Sequence, residues 1–239
     1  MGTPVTTCIV IPTYNERENV EALVAGITGV DPALQMLFVD DLSPDGTADE
    51  VRRVAALHDS VHLMVRKGKR GLGGAHVDGF KEAMEEIGAD AVVEMDADLQ
   101  HPPEKIPELL AKLSEGYDVV LASRKIKGGG TTGWSLWRRA VSRGANLLAR
   151  LILGLKVKDC TSGFRALNKR SAELLVGAHM PDSSYSFQVA SLYHLKKVGA
   201  KMAEIPFTFQ TRRAGRSKMG MGEILRFFVS VVKIRVAGG

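Results

Sequence analysis

Residues 91–103 read AVVEMDADLQHPP, an apolar run that passes directly into acidic residues. The run 91–95 predicts a short buried strand, and Asp96 and Asp98 follow where that strand ends. Two carboxylates at one strand end repel each other unless a proton or a cation lies between them. Hard divalent cations prefer carboxylate and amide oxygens, and Gln100 supplies an amide oxygen nearby. The stretch therefore predicts a metal site with Asp98 and Gln100 as ligands, whose open positions would suit a diphosphate.

Strand and helix patterns alternate along the first half of the chain. Apolar runs at 7–11, 34–39, 61–65 and 118–122 predict further strands, and helical periodicity predicts helices from about residue 17, at 75–87 and at 104–114. This alternation is typical of an α/β fold with a Rossmann-like, mostly parallel sheet and helices on both faces. Ligands bind such sheets outside the carboxyl ends of the strands.

Polar side chains follow each of the predicted strands. They are Tyr14 and Glu16, Asp40 and Asp41, the basic residues of 66–70, Asp96 and Asp98, and Arg124. Their convergence favours a binding site over the alternative, in which DAD is an ordinary solvated loop. Asp41 is suited to accept hydrogen bonds from a ribose or a base. Its structural alternative is to cap the turn that follows the strand.

The second half has a different character. A glycine-rich loop at 127–133 precedes an amphipathic segment at 134–155, in which Trp134 and Trp137 lie close to arginines. This pattern fits a membrane interface with anionic head groups, although a helix packed on the sheet would explain it too. Later segments predict helices at 185–198 and 223–236 and a strand at 201–209. We expect one domain, 1–239, with a nucleotide-sugar half (about 1–125) and an acceptor and membrane-facing half (about 126–239).

The composition of the chain limits the kinds of partner that it is expected to bind. The chain has 239 residues, a net charge of +5 and two cysteines. The charge suits an anionic ligand or a membrane surface, and we expect no nucleic-acid partner because no recognition motif is present. Two cysteines indicate a reducing compartment. No signal peptide and no apolar run of about 20 residues is found, so we expect a peripheral protein on the cytoplasmic side of a membrane.

The basic residues suggest how a nucleotide-sugar donor and its acceptor would be held. Arg212 and Lys218, in a late basic loop, would stabilise charge on a leaving diphosphate together with the metal. A phosphate acceptor is already ionised and needs no general base, and Arg124 and Arg138 are placed to bind one. The six histidines form no base constellation. We interpret His101 as an ordinary loop residue and His76 as structural.

Seven motifs occur in a defined order: IPTYNERENV, FVDDLSPDGTADEV, RKGKRGLGGA, DADLQHPPEKIPEL, SRGAN, TSGFR and RSKMG. Together they resemble the polyprenol-phosphate mannosyltransferases, dolichol-phosphate-mannose-synthase-like members of the GT-A-fold family 2 glycosyltransferases. The resemblance runs from Ile9 to about Ile224. It implies transfer of mannose from GDP-mannose to a polyprenyl monophosphate, with inversion and with Mg²⁺ or Mn²⁺.

The resemblance also implies residue roles. Pro12, Tyr14 and Glu16 would line the nucleotide pocket, and Val39 and Asp41 would meet the guanosine. Asp96, Ala97 and Asp98 would hold the donor and metal, with Gln100 as second metal ligand. Arg124 and Arg138 would bind acceptor phosphate and donor oxygens, and Arg212 and Lys218 would clamp the diphosphate. Asp98, Arg124 and Arg138 are thus the candidate catalytic residues.

The sequence departs from the pattern of this family at two points. Many relatives have Gly where this chain has Leu42, which would affect turn geometry. Some have C-terminal transmembrane hairpins that this sequence lacks, so either a membrane-anchoring subunit or the amphipathic segments would provide attachment. A UDP-sugar-dependent polyprenol-phosphate glucosyltransferase is an alternative, and a non-catalytic phospho-acceptor signalling domain is a remote one.

Overall fold

The computed structural model describes residues 5–67, 71–181, 184–210 and 221–237. Within these ranges the strands are β1 (Thr7–Thr13), β2 (Gln35–Asp40), β3 (Val61–Val65), β4 (Ala91–Glu94), β5 (Val119–Ser123), β6 (Gly130–Thr131), β7 (Arg165–Asn168), β8 (Met202–Pro206) and β9 (Thr208–Phe209). The helices are α1 (Val20–Val30), α2 (Thr47–Ala55), α3 (Gly71–Glu85), α4 (Ile106–Ser114), α5 (Leu136–Leu153), α6 (Lys169–Val176), α7 (Ser184–Lys197) and α8 (Met221–Ala237).

The main sheet has the strand order β3-β2-β1-β4-β7-β5-β8. Every neighbouring pair is parallel except those of β7, which runs antiparallel to β4 and β5. The predicted mostly parallel α/β sheet is therefore confirmed. Because β1, β2 and β4 are adjacent and parallel, their carboxyl ends open onto one edge of the sheet. β6 and β9 form a separate parallel ribbon.

Helices cover both faces of this sheet, as the sequence predicts. Side chains alternate along β1, so that Cys8 and Val10 point to one core and Ile9 and Ile11 to the other. The first core is closed by α3, α5, α6, α7 and α8, and the second by α1, α2 and α4. The strands at the centre of the sheet are buried on both faces, as is usual for parallel sheets.

The close approach of α3 to the sheet depends on a glycine. A Cβ atom at Gly79 would lie 2.5 Å from Cγ1 of Val10 and 2.9 Å from Cγ2 of Val39. No side chain larger than hydrogen fits there without moving the strand or the helix. The sequence GLGGAHVDG thus forms a helix that lies directly on β1 and β2.

Helices α5 and α8 pack against each other and expose apolar side chains. The segment predicted at 134–155 forms one helix, α5, which Ser135 caps by accepting the backbone N–H of Arg138 at 3.2 Å. The exposed members are Leu136, Trp137, Leu147 and Leu151 on α5 and Phe228, Val229, Val232 and Val236 on α8. We call these eight residues the apolar surface. None of the helices in the described ranges is long and apolar enough to cross a bilayer.

Candidate active site

The loop after β4, residues 96–100 (the acidic loop), brings the two predicted metal ligands together. The backbone N–H of Gln100 donates to Oδ1 of Asp98 at 3.2 Å. The Gln100 side chain donates through Nε2 to the carbonyl oxygen of Gln210, just after β9. This bond fixes the orientation of the amide, so its oxygen faces away from Gln210. Asp98 and Gln100 therefore present a carboxylate and an amide oxygen from adjacent parts of one loop.

His101 holds the start of the acidic loop. Its Nδ1 accepts the backbone N–H of Asp96 at 3.0 Å, and its Nε2 lies 3.7 Å from Oδ2 of the same residue. The ring is buried and stacks on Phe164 with centroids 5.0 Å apart. Burial lowers the pKa of His101 to about 4, against the attraction of Asp98. The interpretation of His101 as an ordinary loop residue is wrong, because a buried neutral ring supports the loop.

Unfavourable backbone geometry is concentrated at this edge of the sheet. Within the part of the chain that the structure describes, three residues other than glycine have positive φ: Asn15 (61°), Leu42 (55°) and Leu99 (59°). They lie in the loops that follow β1, β2 and β4 respectively. The left-handed conformation costs about 1–2 kcal/mol for an ordinary L-residue. Such strain often accompanies function, and here it marks the three loops expected to hold the donor.

The loop after β2 separates the roles of its two aspartates. Asp40 accepts the hydroxyl of Thr13 at 3.0 Å and the backbone N–H of Ser43 at 2.8 Å, so Asp40 is the residue that closes the turn. Asp41 instead forms a buried ion pair with Arg66, whose Nη1 donates to Oδ1 at 2.6 Å. Arg66 also donates to Asp78 at 2.8 Å. The turn-cap alternative thus applies to Asp40, and Asp41 is held by a cation beside the predicted nucleoside position.

The other predicted nucleotide-pocket residues lie at the same edge. Tyr14 is 42% exposed directly after β1. Glu16 donates its backbone N–H to the Thr47 hydroxyl at 3.0 Å, and its side chain accepts from Asn19 at 2.6 Å. Pro12 is buried within β1. Val39 is fully buried, so a contact between Val39 and a nucleoside would have to come from its backbone.

Arg124, the first of the two predicted phosphate-binding arginines, is clamped by Asp159. Its Nε and Nη2 each donate to a carboxylate oxygen of Asp159 at 2.7 Å, and its backbone N–H donates at 2.9 Å. Burial alone would raise the pKa of Asp159, but the charge and hydrogen bonds of Arg124 lower it below its ordinary value. Arg124 therefore enters the site as half of a compensated ion pair.

Arg138, the second arginine, is positioned by an aromatic ring. Its guanidinium carbon lies 3.9 Å from the centroid of Trp134, and the guanidinium of Arg124 lies 5.7 Å from the same ring. The Trp134 ring also meets Phe209 edge-on, with centroids 5.8 Å apart. The two predicted acceptor arginines are thus brought together on one tryptophan.

A buried polar network lies on β4 and β7, directly before the acidic loop. Glu94 and Arg165 face each other across β4 and β7, and both side chains are fully buried. Arg165 donates to Glu94 at 2.8 Å and to the Ser191 hydroxyl at 2.8 Å, while Gln188 donates to the second Glu94 oxygen at 3.2 Å. These bonds compensate the burial of both charges two residues before Asp96.

The roles of several residues of the site were not recognised in the sequence. Asp159 lies 35 positions from Arg124, and no local pattern relates the two. The position of Arg66 at the end of a strand is a usable signal, but its partner Asp41 becomes evident only from the order of β2 and β3. His101 directly follows the predicted metal ligand Gln100, and this position is the signal that could have identified its supporting role.

Two predicted residues cannot be placed. Arg212 and Lys218 lie outside the described residues. Among the residues that are described, no cluster of three or more His, Cys, Asp or Glu side chains is arranged to hold a metal. The role of Asp98 and Gln100 as metal ligands therefore stays a prediction.

An α/β sheet with an acidic loop and two arginines at its carboxyl edge is the arrangement expected of a GT-A-type glycosyltransferase. The model for glycosyl transferase family 2 matches residues 8–175. The chain belongs to this family and is a glycosyltransferase.

Three curated relatives are similar over nearly the whole chain. An undecaprenyl-phosphate mannosyltransferase of Micrococcus luteus is 37% identical over 94% of this chain and 91% of its own length. A polyprenol monophosphomannose synthase of Mycolicibacterium smegmatis is 37% identical over 97% and 88%. A dolichol-phosphate mannosyltransferase of Pyrococcus furiosus is 36% identical over 95% of this chain and 62% of its own length.

Crystal structures of related enzymes share the fold at lower identity. Mannosyl-3-phosphoglycerate synthase from Rubrobacter xylanophilus has a TM-score of 0.70 and 21% identity, covering 98% of this chain and 74% of that protein. Glucosyl-3-phosphoglycerate synthase from Mycobacterium tuberculosis, in complex with Mn²⁺, UDP-glucose and phosphoglyceric acid, has a TM-score of 0.69 and 22% identity, covering 98% and 80%. These similarities establish the GT-A-like fold.

Proposed function

We propose that this glycosyltransferase moves mannose from GDP-mannose to a polyprenyl monophosphate, with inversion at the anomeric carbon. The observation that carries the proposal is the short connection between the predicted metal loop and the two predicted acceptor arginines. Gln100 of the acidic loop bonds to Gln210, whose neighbour Phe209 contacts Trp134, the ring on which Arg124 and Arg138 converge. Two phosphorylated substrates could therefore approach each other. The names of the curated relatives support a mannosyl donor and a polyprenyl phosphate acceptor.

The proposed reaction balances without a general base. An oxygen of the acceptor phosphate attacks the anomeric carbon, and the bond from that carbon to the β-phosphate oxygen breaks. GDP leaves with the electron pair. Since the acceptor is already ionised near neutral pH, no proton has to be removed before attack. This fits a site in which the acceptor side offers guanidinium groups.

Asp98 and Gln100 are the proposed ligands of a divalent cation, Mg²⁺ or Mn²⁺. Carboxylate and amide oxygens are the donors that such hard cations prefer, and the fixed Gln100 amide fits that role. When bound, the cation would neutralise charge that builds on the leaving diphosphate. The Mn²⁺ complex of the glucosyl-3-phosphoglycerate synthase supports the same kind of site.

The remaining donor contacts are part of the same proposal. Pro12, Tyr14, Glu16, Val39 and Asp41 would form the nucleoside side, and Asp96 and Ala97 would contact the donor beside the metal. Arg212 and Lys218 would clamp the diphosphate. The division into a donor half, about 1–125, and an acceptor half, about 126–239, is part of this proposal. Arg124 ends the first half, and Arg212 and Lys218 would reach the donor from the second.

The apolar surface on α5 and α8 would hold the enzyme at the membrane in which its acceptor resides. Trp137 is 67% exposed and Leu151 73%, and arginines 139 and 143 are exposed on the same helix. An apolar face with flanking arginines suits an interface of anionic lipids.

Liposome flotation of wild type and of the Leu147→Glu/Leu151→Glu variant tests whether the apolar surface binds the membrane. We expect wild type to float with anionic vesicles and the variant to remain largely at the bottom. Equal flotation would contradict the assignment, and absence of wild-type flotation would favour a separate anchoring subunit.

A donor comparison tests the chemical proposal. The purified chain is incubated with a polyprenyl phosphate in detergent and with labelled GDP-mannose or UDP-glucose, and the lipid phase is counted. We expect label from GDP-mannose. Label from UDP-glucose alone would retain the fold and acceptor class but transfer the function to a polyprenol-phosphate glucosyltransferase. No label from either donor would contradict the proposal.

A further inference from the structure

We propose that Trp134 is a positioning residue that orients the Arg138 guanidinium toward the acceptor phosphate. The inference rests on the proposed function, because it concerns the acceptor side of that site. The guanidinium carbon lies 3.9 Å from the ring centroid, close enough for the charge to rest on the π-face. Contact with the ring face restricts where the guanidinium can lie, and a guanidinium binds phosphate through N–H groups at its edges. Trp134 thus holds the arginine through its face.

Local structure fixes Trp134 relative to Arg138. Trp134 directly precedes the cap residue Ser135, and Arg138 lies in the first turn of α5. The Ser135 hydroxyl accepts the backbone N–H of Arg138, so the ring and the arginine are joined through one capped turn. The WSLWR sequence therefore places Trp134 and Arg138 within one capped turn, where the guanidinium contacts the ring.

The ring is also fixed from its other side. The backbone N–H of Thr132 donates to the carbonyl of Phe209 at 3.0 Å, which extends the β6–β9 ribbon to the residues just before Trp134. Phe209 then meets the Trp134 ring at an interplanar angle of 76°. Trp134 is therefore fixed between α5 and β9.

Charge explains why both arginines can share this ring. Arg124 lies 5.7 Å from Trp134, and two uncompensated guanidiniums would repel each other there. Asp159 compensates Arg124 through a bidentate pair. A phosphate beside the ring would consequently meet one guanidinium held by Asp159 and one in contact with the face of Trp134. Trp134 should affect acceptor binding more than donor binding.

The chain supplies a matched control for this role. Trp137 is three residues away, is 67% exposed and belongs to the apolar surface. Trp134→Leu and Trp137→Leu are the same chemical change at the two ends of one turn. A short, water-soluble polyprenyl phosphate, assayed without membranes or detergent, removes the membrane contribution of Trp137 from the comparison.

We expect Trp134→Leu to raise the KM for the short acceptor about tenfold, the size expected for loss of a partly desolvated cation–π contact. The dissociation constant of GDP with Mn²⁺ should stay within about twofold, and Trp137→Leu should leave both values unchanged. Trp134→Phe keeps a weaker π-face and should fall between wild type and Trp134→Leu. It provides the test if the leucine variant does not fold.

A double-mutant cycle shows whether Trp134 acts through Arg138. In an Arg138→Met background, Trp134→Leu should have little further effect on the acceptor KM, because the guanidinium that it orients is gone. An unchanged KM in Trp134→Leu, equal effects of the two tryptophans, or additive effects in the cycle would overturn the inference. A wild type that transfers no mannose to any polyprenyl phosphate would instead refute the proposed function.

Discussion

Nδ1 of His101 accepts the backbone N–H of Asp96 at 3.0 Å, which closes the acidic loop onto the residue that follows it. The bond requires an unprotonated Nδ1, and burial lowers the pKa of His101 to about 4. Phe164, Phe207 and Phe209 surround the ring. The conformation of the proposed metal loop is thus set by a histidine that need not contact either substrate.

Replacing His101 by phenylalanine should weaken donor binding. The variant keeps an aromatic ring against Phe164 but leaves the part-buried N–H of Asp96 without this acceptor, at a cost of about 1 kcal/mol or more. We expect the affinity for GDP with Mn²⁺, measured by isothermal titration calorimetry, to fall about tenfold. His58→Phe, at an exposed position far from the loop in sequence, is the control. Unchanged affinity in His101→Phe would show that the loop does not depend on this bond.

Leu42 offers a test of backbone strain. Its φ of 55° is left-handed, and its side chain is 56% exposed and contributes little burial. Glycine relieves the strain but loses more entropy on folding, so Leu42→Gly should raise the free energy of unfolding by about 0.5–1 kcal/mol. Leu57→Gly, at an exposed leucine without positive φ, should lower it by a similar amount. Urea unfolding measures both, and destabilisation by Leu42→Gly would refute the strain argument.

His76 should make the stability depend on pH. It is fully buried on α3, and among the described residues neither of its ring nitrogens has a hydrogen-bond partner. Burial lowers its pKa from 6.5 to about 3, so the folded state favours the neutral ring. The stability that the neutral His76 ring provides is fully present above pH 6.5 and is lost as the pH falls toward 3.

The contribution of His76 can be isolated by substitution. One proton taken up on unfolding gives a slope of up to about 1.4 kcal/mol per pH unit. Between pH 6.5 and 4.5, the free energy of unfolding should therefore change less with pH in His76→Phe than in wild type. An equal change in the two proteins would indicate that His76 is charged in the folded protein or does not remain buried.

The sequence predicted the parallel part of the fold well, because buried parallel strands are short apolar runs with polar residues at their ends. The strand at 61–65 has the predicted limits, and the helix expected at 185–198 is α7, Ser184–Lys197. The start of α3 at Gly71 was placed four residues too late, since glycines disfavour helices in general but here permit contact with the sheet. The strand expected at 201–209 is two strands, since β8 ends at Pro206 and Phe207 separates it from β9.

The long-range pairings of the site could not be read from the sequence. β7 lies antiparallel between β4 and β5, which brings Arg165 opposite Glu94 and places the preceding TSG turn near the acidic loop. No periodicity specifies that insertion. Similarly, the Arg124–Asp159 and Arg66–Asp41 pairs depend on strand order rather than on local sequence. Residue types predicted the kind of site, while the contacts that position it depend on topology.

The most direct test of the proposed metal site compares an aspartate after β4 with an aspartate before it. Transfer of labelled mannose from GDP-mannose to a polyprenyl phosphate is measured with Mg²⁺ or Mn²⁺ for wild type, Asp98→Asn and Asp90→Asn. Asp90 precedes the strand and accepts the backbone N–H of Thr6 at 3.1 Å, away from the site. We expect metal-dependent transfer by wild type and Asp90→Asn, and a rate at least about 100-fold lower for Asp98→Asn. A wild-type rate in Asp98→Asn, or full transfer without a divalent cation, would contradict the proposed metal–diphosphate site.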